Sequence, residues 1–302
     1  VCFFSRQGKV LNRIHRVGNG PGEYKDIGSI DVNPANGELY LKEMNRQQIH
    51  VYSLDGKFKH SFTFPEGKRM SRMCLFSPDY LIAEQESKVP DDQDANFYPY
   101  LLVSTRDGHL DSLDYVQKRN ILVKLIVNAE NHSYAYLLEP SLIRNGSRFY
   151  IGNPDSDTLF AMNPDRTLEP LLVRTPSHSE EGNKYGLFLR GAAGAYFFLT
   201  KQPMEVPMNS IESLDLKSEE WLYDCRTQEV CRYLLKNKDD ASKRVEGIMF
   251  FCYPEDCGLA VLKSEDLMDA YEAGQLSGEL KEIAAGLKAD DNPVLMLIHF
   301  KK

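Results

Sequence analysis

The stretch SIDVNPANGELYLKEMNRQQIHVYSLDGKFKHSF, residues 29–62, contains four short strand signals separated by three turn signals. Apolar and polar residues alternate within each run, which is the two-residue period of a half-buried β-strand. The turns at Gly37 and Gly56 each place a glycine where a tight hairpin needs a positive φ angle. The stretch therefore predicts an antiparallel meander of four strands, here called a, b, c and d.

The same unit recurs along the chain. Further a–b hairpins are predicted at residues 74–84, 142–153, 187–200 and 250–263, and further c–d hairpins at residues 3–14, 102–113, 160–172 and 222–235. The chain closes with an unpaired c-type strand at residues 293–300. A four-stranded meander is one blade of a β-propeller, and a repeat of about 50 residues fits that architecture. We predict an all-β fold: a six-bladed β-propeller of four-stranded antiparallel blades in a single domain, residues 1–302, whose two termini complete the sixth blade.

Residues 264–288 show a helical pattern, which predicts a short helical insertion near the C-terminus. Ser264 and Ser277 are the expected N-caps of two helices, because serine side chains accept hydrogen bonds from the first backbone N–H groups. The spacing of Leu280, Ile283 and Leu287 gives the second helix one apolar face, which we expect to pack on the propeller.

The stretch RVGNGPGEYKDIGSIDV, residues 16–32, holds three closely spaced glycines, which raises the question of a phosphate-binding loop. Such a loop places its glycines between a strand and a helix N-terminus. Here a strand-like alternation follows Tyr24, so we predict a structural corner that joins strand d of one blade to strand a of the next. Glu23 is expected to accept backbone N–H bonds within the corner, and Tyr24 to pack between blades.

Bulk properties exclude several classes of protein. The net charge of −8 argues against sequence-independent binding of nucleic acid, which requires clustered lysine and arginine. No run of about 18 apolar residues is present, so no transmembrane segment is predicted. None of the six cysteines forms a CxxC pair, the usual spacing of a zinc site, so no zinc site is predicted. Cys225 with Cys231, and Cys252 with Cys257, bracket predicted turns; free buried thiols are favoured over cross-strand disulfides.

The string GNGPGEY (residues 18–24), with the meander that follows it, resembles an NHL-type repeat. It more specifically resembles the six-bladed β-propeller family of exported, often lipid-anchored proteins from Gram-negative gut bacteria. The ending DDNPVLMLIHFK (residues 290–301) is similar to the usual end of that family, whereas Glu43 stands where NHL repeats carry aspartate. The resemblance implies a propeller fold, export to the periplasm or the outer-membrane or cell surface, and a lipid anchor upstream of Val1. It implies no particular reaction.

The long connections predict where function lies. In a four-stranded meander the b–c and d–a connections emerge on one face, and the long connections here are of these two kinds: residues 85–97, 175–186, 202–219, 236–247 and 264–292. Since binding residues concentrate in loops on a rigid scaffold, we predict a non-catalytic propeller that binds a glycan, peptide or protein on this long-loop face. The residues predicted to line an anion or glycan pocket there are Tyr24, Glu43, Arg46, Lys184, Tyr185 and Arg244.

An enzyme of the lactonase or lyase type is the alternative. Enzymes of this type on six-bladed rings hold a metal ion at the central tunnel through carboxylates, asparagine or histidine. Glu43, Glu84 and Asn153, at the predicted ends of b strands, are the candidate ligands. The acidic stretch PDDQDAN (residues 90–96) could contribute to a calcium site, although a solvated loop is favoured. The binding hypothesis needs no cofactor, whereas the enzyme hypothesis needs calcium or another divalent metal.

Overall fold

The structure is a computed structural model that describes residues 1–5, 9–65, 68–85, 98–113, 122–128, 133–138, 142–153, 156–180, 182, 184–207, 217–241, 245, 247–250 and 256–300. The backbone divides into two compact units, residues 1–120 and 121–302. The predicted single domain over residues 1–302 stays a prediction.

The first unit contains a two-stranded hairpin and two four-stranded antiparallel sheets, each with its strands in chain order. The hairpin is β1 (Cys2–Phe4) and β2 (Val10–Arg13). The first sheet is β3 (Ser29–Asn33), β4 (Glu38–Glu43), β5 (Gln48–Ser53) and β6 (Phe58–Thr63). The second sheet is β7 (Met70–Ser77), β8 (Tyr80–Gln85), β9 (Tyr100–Ser104) and β10 (Leu110–Ser112).

The central strands of the first sheet are buried on both faces. Tyr40 on β4 and Val51 on β5 belong to a core that includes residues of β7, β8 and β9. The alternate residues, Leu41 and Tyr52, pack with Tyr24 in a second core on the opposite face. Burying a large apolar side chain contributes about 1.5–3 kcal/mol, so the two-residue alternation of residues 29–62 stabilises both faces of one sheet.

The second unit begins with β11 (Leu122–Asn128) and β12 (Ser133–Leu138), an antiparallel hairpin whose β11 also pairs in parallel with the short β19 (Glu205–Pro207). Two four-stranded antiparallel sheets and one three-stranded sheet complete it. The first is β13 (Leu142–Asn145), β14 (Arg148–Ile151), β15 (Thr158–Met162) and β16 (Leu168–Val173). The next is β17 (Tyr185–Ala193), β18 (Tyr196–Pro203), β20 (Glu219–Asp224) and β21 (Glu229–Arg232). The last is β22 (Met249–Phe250), β23 (Cys257–Leu262) and β24 (Val294–His299).

The fold is thus all-β, built from four-stranded antiparallel blades of the β-propeller type, with few helices. Among the described residues five sheets have blade topology, two in the first unit and three in the second, so the predicted count of six is wrong. The five predicted a–b hairpins are all confirmed. The sixth blade fails because the terminal segments are used differently: β1 and β2 form a two-stranded sheet, and β24 is the third strand of the fifth blade.

The predicted helical insertion is confirmed as α1 (Ser264–Glu272) and α2 (Gly278–Ala284), in the connection between β23 and β24. Ser277 is the N-cap residue of α2 as predicted, whereas the N-cap of α1 is Lys263 and not Ser264; neither cap residue makes a side-chain capping hydrogen bond. The Ser264 hydroxyl instead donates to the carbonyls of Asp291 and Asn292, 2.9 Å from each, and so ties the start of α1 to the chain entering β24. The two helices share an apolar core with Leu262 and Val294 of the flanking strands. Within the described residues, neither helix is long and apolar enough to cross a membrane.

The described cysteines are free thiols. Cys225 and Cys231 form no disulfide; Cys231 lies opposite Leu222 in the strand register and is exposed. Cys257 is buried, and Cys252 lies outside the described residues. The favoured free thiols are therefore confirmed for the first pair, although only Cys257 is fully buried.

Gly22 tests the packing of the glycine-rich corner, because its φ angle is +68° and an added Cβ would lie 2.4 Å from the Phe58 ring on β6. A left-handed alanine costs about 1–2 kcal/mol, and overpacking costs about 1–3 kcal/mol more. We therefore expect Gly22→Ala to lower the free energy of unfolding by about 2–5 kcal/mol in urea denaturation. Gly37→Ala is the matched control, since Gly37 has a φ angle of +64° with nothing within 4 Å of the added Cβ. Equal losses in the two variants would contradict the role of the Phe58 contact.

Candidate functional site

Glu43, at the end of β4, is the centre of a buried polar network in the first unit. Its side chain is fully buried. One carboxylate oxygen accepts a hydrogen bond from the Lys25 backbone N–H at 3.2 Å and lies 3.4 Å from Nε of Arg46; the other lies 3.3 Å from Nε2 of His50. A buried carboxylate requires such partners, because desolvation of an unpaired charge is costly. Both oxygens of Glu43 are therefore engaged within the chain.

The same network holds the glycine-rich corner in place. The Arg46 guanidinium donates to the Gly18 carbonyl at 3.0 Å, and the Tyr52 hydroxyl donates to the Gly22 carbonyl at 2.6 Å. The Glu23 carboxylate accepts a hydrogen bond from the Gly20 N–H at 2.8 Å, which confirms the prediction for Glu23. The anion held by this loop is thus the protein's own carboxylate, as expected of a structural corner rather than a phosphate loop.

Tyr24 is a core residue of the corner. It is only 5% exposed, and its hydroxyl donates to the Ile14 carbonyl at 3.0 Å. Burial raises the pKa of the Tyr24 phenol and raises that of Tyr52 to about 12, so both hydroxyls stay protonated and act as donors. Tyr24, Glu43 and Arg46 therefore meet around one loop, with roles in holding it. Their predicted part in ligand binding stays a prediction.

The second unit contains a pocket of about 520 Å³ between the sheet β13–β16 and the sheet that contains β17, β18, β20 and β21. Its apolar wall continues the core between the two sheets. That wall is formed by Leu159, Leu172, Val173, Leu187, Leu199, Trp221, Tyr223 and Val230. Its polar end is formed by Asn153, Ser156, Asp157, Thr158, Arg174, Thr175 and Lys201. An apolar cavity of this size with a few polar groups is the usual form of a small-ligand site.

Trp221 is the most distinctive residue of the pocket. It is the only tryptophan of the chain, and it is partly buried on β20, opposite Leu199 of β18. The Arg232 guanidinium lies 5.2 Å from the centre of its ring, a cation–π contact. The indole Nε1 is buried and has no hydrogen-bond partner among the described residues. Buried indole N–H groups normally find an acceptor. This one is shielded from solvent, so it is the ring of Trp221 that lines the pocket.

The polar end of the pocket is held by hydrogen bonds between two connections of the third blade. The Asp157 carboxylate accepts a hydrogen bond from the His178 backbone N–H at 2.6 Å and lies 3.9 Å from Nε of Arg174. Arg174 donates to the carbonyls of Pro176 and Tyr185, at 3.2 Å and 3.4 Å. These contacts fix both a carboxylate and a guanidinium at the rim of the pocket.

Three of the residues predicted from sequence lie at or beside this pocket. Asn153 is buried and lines it. Tyr185 is 40% exposed, and its ring centre lies 4.9 Å from the ammonium of Lys201, which lines the pocket. Lys184 is exposed next to Tyr185. Glu84 lies on β8 in the first unit, and Arg244 and residues 90–96 lie outside the described residues.

The sequence analysis missed Trp221, Asp157 and Arg174. A lone tryptophan within EEWLYD, residues 219–224, was the available signal, since large aromatic residues at partly exposed positions are frequent binding anchors. Asp157 falls in NPDSD, residues 153–157, which has the composition of an ordinary turn. Its contact with Arg174 joins opposite ends of a hairpin and has no local signature.

Comparisons with known proteins identify the family. A family model described as a domain of unknown function, DUF4934, matches residues 1–299. The chain belongs to this family. A putative exported protein from Bacteroides fragilis is similar in structure, with a TM-score of 0.68 at 15% identity over 99% of this chain and 84% of its own. A DUF4221 family member from Bacteroides vulgatus gives a TM-score of 0.53 at 8% identity over 97% and 84%. At these identities, the structural likeness shows only that this DUF4934 chain shares the fold of the two proteins. No curated protein matches the sequence.

Glu43→Gln tests whether the Glu43 network is structural. The substitution removes the charge that faces Arg46 and His50 while keeping the shape, so we expect the free energy of unfolding to fall by about 2–4 kcal/mol. Asp55→Asn, which alters an exposed carboxylate paired with Lys57, should leave it nearly unchanged. Denaturant titration followed by circular dichroism gives both values. A Glu43→Gln variant as stable as the native chain would contradict the structural role.

Proposed function

We propose that this DUF4934 chain is a non-catalytic binding propeller of the cell envelope, and that it binds a glycan in the pocket beside Trp221. The observation that carries the proposal is the partly buried Trp221 ring, which lines a pocket that is apolar on one side and polar at one end. A peptide or protein ligand is the other occupant that the predicted long-loop face allows.

The chemistry of the pocket favours a sugar. A sugar ring has apolar C–H faces that suit an aromatic and aliphatic wall, and hydroxyl groups that both donate and accept hydrogen bonds. The pocket supplies donors from Lys201 and Arg174 and an acceptor from Asp157, while the Asn153 amide can do both. The volume of about 520 Å³ lies within the range of small-ligand sites, about 300–1,000 Å³.

The position of the pocket supports the long-loop hypothesis. Its polar end is built from the b–c connection after β14 and from the d–a connection that leads into β17. These are the two kinds of connection that the sequence predicts to carry function. Ligand recognition by connections on a rigid sheet scaffold is the common arrangement in proteins of this kind.

Export is part of the same proposal. The similar structure from Bacteroides fragilis is named a putative exported protein, which supports a periplasmic or outer-membrane or cell-surface location for this chain. The lipid anchor upstream of Val1 and the NHL-like character of the repeat belong to the proposal as well. The lactonase or lyase alternative draws no support from Glu43, since both of its carboxylate oxygens are already engaged.

Intrinsic fluorescence provides the test, because Trp221 is the only tryptophan of the chain and therefore the source of all its tryptophan emission. We expect a saturable change in emission with at least one member of a panel of soluble glycan fragments, and none with a matched panel of peptides. Calorimetric titration of that glycan should then show at least about a tenfold loss of affinity in Trp221→Ala, the size typical of a buried aromatic anchor.

Tyr271→Ala is the control, because it removes an exposed aromatic side chain from α1, which does not line the pocket. This variant should bind the glycan like the native chain. Binding that survives Trp221→Ala, or the absence of any saturable change across both panels, would overturn the pocket assignment. Binding of peptides in place of glycans would overturn the ligand class.

A further inference from the structure

Three potential metal ligands meet at one end of the fifth blade. Cys257 begins β23, His299 ends β24, and the two residues are direct partners in the antiparallel register. The Cys257 sulfur lies 3.0 Å from Nδ1 of His299 and 3.8 Å from a carboxylate oxygen of Asp256. The three ligand atoms all lie within 4.8 Å of one another.

These separations are near those of ligand atoms around a tetrahedral metal ion. Zinc binds sulfur at about 2.3 Å and nitrogen or oxygen at about 2.0–2.2 Å, which places pairs of ligand atoms about 3.4–3.6 Å apart in a tetrahedron. The sulfur–oxygen distance of 3.8 Å is close to that value, and the sulfur–nitrogen distance of 3.0 Å needs to open by about half an ångström. His299 is exposed and can make this adjustment by side-chain rotation.

The donor set selects the ion. Calcium and magnesium require six or more oxygen ligands, and this cluster supplies a single carboxylate among its three groups. A thiolate with an imidazole is the set that zinc prefers. Cys257 is fully buried whereas His299 is exposed, so the cluster opens to solvent on the histidine side, where water can fill a fourth position.

We propose that Asp256, Cys257 and His299 form a zinc-binding site that joins the start of β23 to the end of β24. The cysteine and the histidine come from the two strands that flank the helical insertion and stand 42 positions apart in the sequence. A metal that joins such distant positions stabilises the folded chain, because its binding free energy is gained only when the site is formed. The site is independent of the pocket beside Trp221.

The test uses the full chain, stripped with a chelator, reloaded with zinc and desalted before elemental analysis. We expect about one zinc ion per chain in the native protein and in Cys231→Ser, which removes an exposed free thiol on β21. His299→Ala and Cys257→Ser should lose the ion. Zinc should also raise the melting temperature of the native chain and of Cys231→Ser, and leave His299→Ala unchanged.

Cobalt substitution covers the risk that the buried Cys257→Ser change perturbs folding. Cobalt in the native chain should show a thiolate charge-transfer band in the near ultraviolet, and His299→Ala, an exposed change, should weaken or abolish it while circular dichroism stays native. Sub-stoichiometric zinc in the native chain, equal zinc in His299→Ala, or a cobalt complex without a thiolate band would each overturn the proposal.

Discussion

The constraint on which the structure depends is that the central strands of each blade need cover on both faces. All six residues of β4 are buried, and successive side chains pack into two different cores. Alone, this sheet would expose both of these apolar faces, so it is stable only with cover on each side. The repeated meander in the sequence therefore predicts packing between sheets as well as the single hairpins.

Burial on both faces has a consequence for the polar residues that end these strands. Glu43 is carried into the interior by β4, and its desolvation is offset by the Lys25 N–H and by its contacts with Arg46 and His50. Arg46 in turn holds the Gly18 carbonyl. The glycine-rich corner is thus ordered from outside by a charge that the fold has buried, while within it the Gly20 N–H is bound by the carboxylate of Glu23.

Local patterns predicted the local structure. The a–b hairpins were recoverable from the two-residue period and the turn residues, and the helical insertion from its spacing and length. The blade count was not, because the partner of β24 is decided by packing and not by any feature of residues 294–299. The pairing of β11 with β19 was also missed, since parallel strands distant in sequence leave no turn between them to recognise.

The candidate sites also divide into residues that local sequence patterns could predict and residues that they could not. Tyr185 could be proposed because the sequence places it in a long connection, where binding residues concentrate, and Asn153 because it stands at the predicted end of a b strand. The Cys257–His299 pair could not, because the spacing rules for zinc describe ligands within one turn or hairpin, whereas this pair is made by register across two strands. A cysteine and a histidine at opposite ends of a long insertion become neighbours only once the antiparallel pairing of β23 and β24 is known.

The pocket beside Trp221 is itself a product of how two blades approach one another. At Gly152, after β14, an added Cβ would lie 2.8 Å from Cβ of Leu189 on β17, so the two sheets are in close contact there. Toward the outer strands the twist of each sheet separates the backbones, and the pocket opens between Leu172 on β16 and Val230 on β21. A groove of this kind follows from blade geometry alone and implies no function. Trp221 distinguishes this groove, because its partly buried ring lines it and large aromatic rings are frequent binding anchors.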